Sequence, residues 1–183
     1  MTTIQVFDEQ LGALAAVADG DQFLVSDIST GTKLDVTWAI MKSGMGGVVD
    51  TTATVLSVTA ALHKNRVVTI SSAAPLAATM PAATGTGDVY TFVLTVAATA
   101  TAHTISALTT DIIAGHSIVV TTTSSNAEGW ATSATSDKIT LNGTTKGGVV
   151  GDKIVMIDMA SGVWQISHTG SATGTEATPF SAT

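Results

Sequence analysis

Val89-Tyr90-Thr91-Phe92-Val93-Leu94-Thr95-Val96 alternates core-forming side chains with hydroxyl or β-branched ones, and Arg66-Val67-Val68-Thr69-Ile70-Ser71-Ser72 does the same. Side chains along a strand point to opposite faces in turn. This period of two therefore predicts strands with one face in a core and the other presenting small, uncharged groups. The texture continues outward from both stretches. Residues 52–59, 76–80, 103–108 and 117–122 read as strands, as do 129–133, 138–141, 153–158 and 163–168, with 89–98 completing the set. Between them lie Gly85-Thr86-Gly87-Asp88, Ala114-Gly115-His116, Asn126-Ala127-Glu128-Gly129 and Asn142-Gly143, whose Gly and Asn tolerate the positive φ of tight turns. Short strands punctuated this often predict a mainly β fold, a β-sandwich or barrel-like domain of short antiparallel strands.

Toward the N-terminus the pattern changes. Leu11, Leu14, Ala15 and Ala18 fall at helical spacing within 8–18, and strands over 22–27 and 32–37 form a hairpin around Ile28-Ser29-Thr30-Gly31. Trp38-Ala39-Ile40-Met41 reads as one helical turn, ended by Gly44, Gly46 and Gly47, which mark a boundary. Three parts result: an N-terminal arm and hairpin (1–47), a main β domain (48–168) and a Gly/Ser/Thr-rich C-terminal arm (169–183). The last cannot bury enough apolar surface to fold alone, so it is either disordered or an arm whose Phe180 docks on a neighbouring surface.

Two hairpins echo one another. Gly20-Asp21 through Asp27 to Gly31 parallels Gly151-Asp152 through Asp158 to Gly162 at a constant offset. In each, the Asp is expected to accept N–H bonds from its own loop and the Gly to close the turn in the left-handed region, so Asp27, Gly31, Asp158 and Gly162 are structural turn residues.

Composition narrows the function. Only 11% of the 183 residues are charged, the net charge is −7 and there is no cysteine. Seven scattered basic residues cannot form the stripe that tracks a phosphate backbone, so no nucleic acid is expected as partner. The mean hydropathy is positive, but no run approaches the ~20 apolar residues of a spanning helix, and no membrane association is expected. Lack of cysteine excludes disulfides and thiolate metal sites and fits synthesis in a reducing cytoplasm.

Chemistry-bearing groups are few. His63, His103, His116 and His168 stand in no nucleophile-elbow or metal-ligand spacing, and His103 and His168 read as surface or cross-strand residues. Asp19-Gly20-Asp21 with Asp27 offers hard oxygens for calcium but lacks the full loop signature. Gly85-Thr86-Gly87 looks like the opening of a phosphate loop, yet no Gly-Lys-Ser/Thr follows and a strand comes next, so a tight turn is the better reading. Asn142-Gly143-Thr144 is a formal glycosylation sequon that reads better as a turn. No catalytic residue, cofactor or metal is assigned. Trp130 and Trp164 are expected as core anchors and Trp38 as a core or interface anchor. The candidate interface residues are Phe7, Leu11, Trp38 and Phe180.

Leu62-His63-Lys64-Asn65-Arg66-Val67-Val68-Thr69-Ile70, the run from Pro81 to Phe92, the run from Ile139 to Gly148 and the ending from Gly151-Asp152 through Trp164 to Pro179-Phe180-Ser181 resemble segments of tailed-bacteriophage virion structural proteins, most of all capsid decoration (cement) proteins. The N-terminal hairpin also resembles strand–turn–strand modules of phage fibre proteins. The resemblance implies a non-enzymatic protein made in the host cytoplasm and carried on the outer surface of the virion. There it would bind the major capsid protein as a homotrimer and stabilise the shell. The alternative it leaves is a head or tail fibre protein that binds host-surface glycans.

Overall fold

The structure, a computed structural model, describes residues 22–26 and 33–37 as backbone, and 47–99, 102–108, 110–123 and 126–183. The chain forms two compact units, Met1–Met45 and Gly46–Thr183. In the first, β1 (Gln22–Ser26) and β2 (Lys33–Thr37) pair antiparallel with Ser26 opposite Lys33.

The second unit is a β-sandwich of two mixed sheets. The strands are β3 (Val48–Thr51), β4 (Val55–Ser57), β5 (Arg66–Ile70), β6 (Ala77–Thr79), β7 (Val89–Leu94), β8 (His103–Ser106), β9 (Ile112–Thr121), β10 (Ala127–Ala131), β11 (Lys138–Leu141), β12 (Lys153–Ala160), β13 (Val163–Ala172) and β14 (Phe180–Ser181), with one short helix, α1 (Ala60–His63), before β5. The large sheet has the order β10-β9-β13-β12-β7-β5-β3 and the small one β14-β11-β8-β6-β4. Alternation places Val68, Ile70, Phe92, Leu94, Ile154, Met156, Trp164 and Ile166 of the large sheet in one core with Ala78, Ile105, Ile139, Leu141 and Phe180 of the small one. Tyr90 and Trp164 meet edge to face there, with centroids 5.4 Å apart, a geometry favourable for aromatic pairs.

The expectation of antiparallel strands needs correction. From β3 to β8 the chain crosses between the sheets at every step, so β3, β5 and β7 lie parallel in one sheet and β4, β6 and β8 parallel in the other. These six strands form a coil of three turns. Its connections, among them the Gly85-Thr86-Gly87 loop, are corners leading from sheet to sheet instead of hairpin reversals. Hairpins begin only afterwards, at β9–β10 and β12–β13, and β13 runs parallel to β9.

The C-terminal segment is likewise part of the sandwich and not a separate arm. β13 extends to Ala172, the N–H groups of Thr173 and Gly174 donate to Thr144 O, and β14 pairs with β11. Phe180 is only 7% exposed and packs into the protein's own core.

Candidate functional site

The polar groups of the sandwich gather at two places along the β12–β13 hairpin. The first is the loop from Pro81 to Asp88, which leads from β6 into β7. Gly85 and Gly87 adopt φ of +80° and +75°, a region that suits glycine, and the loop curls so that its donors converge on one carboxylate. Asp158 Oδ1 accepts the N–H groups of Thr84 (2.8 Å) and Gly85 (2.6 Å). Its Oδ2 accepts Thr86 N–H (3.2 Å) and the hydroxyls of Thr84 (3.0 Å) and Thr86 (2.8 Å). Burial pushes this carboxyl upward, but the Gly85 N–H, the Thr86 donors and the Thr84 hydroxyl outweigh it and hold the pKa at about 2.

Asp158 therefore does not serve its own turn. β12 continues to Ala160, and Asp158 stands opposite Trp164 with its carboxylate committed to a loop more than seventy residues earlier. Gly162 does close the hairpin at φ +76°. The neighbouring Asp111 secures the same loop by accepting Ala83 N–H at 2.7 Å, and Gly162 N–H donates to Ala83 O at 3.0 Å. Gly85-Thr86-Gly87 thus cradles an anion as a phosphate loop does, but the seat is filled by the chain's own Asp158.

The second place is around Asp152, at the other end of the hairpin. Its Oδ2 accepts Gly148 N–H (2.6 Å) and Val149 N–H (3.1 Å), and its Oδ1 accepts Ser171 N–H (2.9 Å). Burial raises this carboxyl against the opposing N–H bonds of Gly148, Val149 and Ser171. His168 lies alongside. Its Nδ1 shares a 2.8 Å hydrogen bond with Ser117 Oγ across β13 and β9, and burial lowers its pKa to about 4. A Cβ added to Gly170 would sit 2.5 Å from Asp152 Oδ2 and 2.7 Å from His168 Nε2, so the glycine backbone packs directly against both groups. Ser, His and Asp come together here, yet all three are buried, and the hydroxyl that would have to attack a substrate has no exposed surface. The cluster fastens β9, β13 and the 148–149 loop.

The remaining sequence candidates are dispersed. His103 is not a surface residue: it shares the inward parity of Ile105, is fully buried, and accepts Leu76 N–H at Nδ1, while burial lowers its pKa. His168 has the same parity as Trp164 and Ile166, and that parity was the signal for its burial. His63 is buried over α1, where its Nδ1 meets Thr59 N–H at 3.0 Å, and only His116 is exposed. Asn142 does form a turn, accepting N–H bonds from Thr144, Thr145 and Lys146 with one side-chain oxygen. Trp164 is fully buried and Trp130 packs half-buried against the core. Phe7, Leu11, Trp38, Asp27, Gly31 and the Asp19–Asp21 pair lie outside the described residues, so of the four interface candidates only Phe180 is described, and it packs in the core.

One feature escaped sequence reading. Beside β3, which pairs only with β5 among the described strands, is a cleft of about 370 Å³ lined by Gly47, Val48, Asn65, Arg66, Val67, Val89 and Thr91. Arg66 Nη2 is buried without an acceptor, and nearby Lys64 reaches Asp88 at 3.7 Å.

Among the described residues no three His, Asp or Glu side chains gather as a metal site, and no helix is long and apolar enough to cross a membrane. No family model, curated protein or solved structure matches this chain.

Proposed function

We propose that the chain is a non-enzymatic capsid decoration protein of a tailed bacteriophage. In this reading it coats the outer surface of the head, binds the major capsid protein, assembles as a homotrimer, and attaches through residues 1–47. The observation that carries the reading is where the polar chemistry is spent. Asp111, Asp152, Asp158 and Ser117 each hold one part of the sandwich to another while Asn142 folds its own turn, and these bonds fall in three of the four segments that resemble virion proteins, 81–92, 139–148 and 151–181. The outward face of the large sheet carries the half-buried, uncharged Val67, Thr69, Thr91, Val93, Val155 and Ile157 between Asp50 on β3 and Lys153 on β12. A surface of this kind suits burial against other subunits more than recognition of charged substrates.

Quantitative mass spectrometry of purified virions tests the assignment. Many copies per particle, with native mass spectrometry giving a trimer, is the expected result. Removal of residues 1–19 should abolish shell binding while the sandwich still folds. A few copies projecting from the particle would instead support a head or tail fibre that binds host glycans, a reading favoured by the coil of β3–β8, whose first turn pairs with no further described strand. Hydrolysis of a surface glycan by the purified protein would overturn both.

A further inference from the structure

The outward face of the large sheet is ordered as a grid. Lys153 stands beside Val93, Val93 beside Thr69 and Thr69 beside Asp50, a row that crosses β12, β7, β5 and β3. The next row, in the same strand order, is Val155, Thr91, Val67 and Val48, and a third begins with Ile157 and Val89. Parity fixes their direction. Ile154, Phe92 and Val68 point into the core, so their neighbours along each strand point away from it.

A charge closes the first row at each end. Lys153 and Asp50 are both exposed, and three strand spacings, about 14 Å, keep their side chains apart within one chain. Asp50 accepts the hydroxyls of Thr69 (2.7 Å) and Ser71 (2.8 Å), which hold its carboxylate over the face without exhausting its acceptor capacity. Lys153 has no carboxylate within ion-pair distance among the described residues. Between the two charges the face is uncharged, and beside Asp50 the apolar Val48 is left 67% exposed.

The arrangement is complementary to itself. A two-fold axis along the strands, midway between β7 and β5, lays β3 of a second copy over β12 and β12 of that copy over β3. Lys153 then meets Asp50 of the second copy, Val93 meets its Thr69 and Val155 its Val48. A two-fold contact repeats every pairing, so one row supplies two ion pairs at the rim of an uncharged patch. Moving the axis onto β7 would set Lys153 over Thr69 and Asp50 over Thr169, the neighbour of Lys153 on β13. Charge therefore selects one alignment. Strand spacing and rise make the overlap roughly 400 Å² on each copy. That is under the standard interface size, so the contact is weak and concentration-dependent.

We propose that this face is a docking site for a second copy of the chain, which packs on it about a two-fold axis with Asp50 and Lys153 as the reciprocal pair. The assignment does not rest on the virion reading. A two-fold contact that uses one face twice is also separate from the three-fold contact of the trimer.

Carbodiimide cross-linking of the full native chain, followed by peptide mapping, is the first test. The reagent joins a carboxylate to an ammonium only where they touch, so an Asp50–Lys153 amide reports contact between two chains. The link should form, rise with protein concentration up to about 1 mM, and fall about tenfold between about 0.01 M and about 1 M salt as screening tightens. Over the same concentrations the smallest assembly should double in mass in sedimentation equilibrium. Asp50→Lys and Lys153→Asp should each abolish the doubling. An equimolar mixture of the two variants should restore it, because each then meets the opposite charge at both pairs. Restoration also shows that both variants fold; if either folds poorly, the link in the native protein decides. A link from Asp50 or Lys153 to residues 1–46 instead would give the face to the chain's own N-terminal segment and overturn the proposal. So would the absence of an Asp50–Lys153 link, a native assembly that never doubles, doubling that survives both charge reversals, or a folded mixture that fails to double.

Discussion

Asp152 stands directly before β12 and Asp158 within it; both are almost fully buried and accept hydrogen bonds without any cation among their partners, yet their environments push them in opposite directions. Asp158 receives three backbone N–H groups and two threonine hydroxyls, enough to outweigh burial and hold its pKa at about 2. Asp152 receives three N–H groups in a deeper site beside the neutral His168, and there burial wins. The difference teaches that a buried carboxylate is settled by the number and kind of its donors as much as by its depth. It also divides the two roles. Asp158 works as an anion that organises a loop, while Asp152 works mainly as a pair of acceptors.

The strongest way to break this comparison is Asp158→Ala, which would strip five donors of their acceptor at once. We expect a loss of about 3 kcal/mol in urea unfolding, toward the upper end for leaving buried polar groups unpaired. A carboxylate that capped only its own turn would be worth about 1 kcal/mol; a measured loss that small would mean the 84–86 loop holds its shape unaided.

Next in size is Gly170→Ala. The new methyl would press on Asp152 Oδ2 and His168 Nε2, and a loss of about 2 kcal/mol is expected from overpacking. Combined with Asp152→Ala the penalty should be less than the sum of the two single losses, because the first obstacle is then gone. Additive losses would place the strain elsewhere.

The pH dependence sharpens the contrast further, with smaller effects. For Asp158 the folded pKa of about 2 lies below its ordinary 3.8, so its contribution is complete above pH 3.8 and is lost as pH falls toward 2. For Asp152 the folded pKa is raised, so the sign reverses: its contribution is present in acid and lost as pH rises through the folded value. The stability advantage of the native protein over Asp158→Asn should shrink on acidification, and its advantage over Asp152→Asn should grow. His168, lowered from 6.5 to about 4, sets the background by removing stability as pH falls through that interval, and taking differences between variants reduces its influence. Parallel trends for the two Asp variants would refute the division of roles.

The smallest expected effect is Ser117→Ala. It removes the one hydrogen bond of the buried imidazole, that to His168 Nδ1. A loss of about 1 kcal/mol or less is expected in thermal unfolding.

Much of the fold was legible in the alternation of residues such as Tyr90, Phe92 and Leu94, because burial on one face leaves a period of two whatever the partner strand. The direction of pairing was not. Parallel neighbours such as Val48, Val67 and Thr91 are separated by excursions through the other sheet, of unequal length, so no repeat appears in the sequence. Gly85-Thr86-Gly87 carries the residues of a turn whether that turn reverses a strand or rounds a corner. The two similar hairpins show the same limit. Their shared residues place Asp27 and Asp158 alike, but Ser26 stands opposite Lys33, whereas Trp164, the counterpart of Lys33, stands opposite Asp158. A slip of one residue exchanges the faces of a strand. The partner of Asp158 could not be read at all, since its donors come from a loop distant in the chain.

The placement of Phe180 has a consequence for biosynthesis. β11 waits for β14 as its outer neighbour, and the core between the sheets waits for a ring that leaves the ribosome only after nearly all of the sandwich has been made. β9 similarly waits for β13, some fifty residues later. Contacts this remote in sequence make folding slow, with loop-closure entropy spent before the reward arrives. The coil of β3–β8 can begin to stack during translation, but the nascent chain keeps an apolar sheet face uncovered until synthesis passes Phe180, which makes that interval the window for chaperone engagement or aggregation.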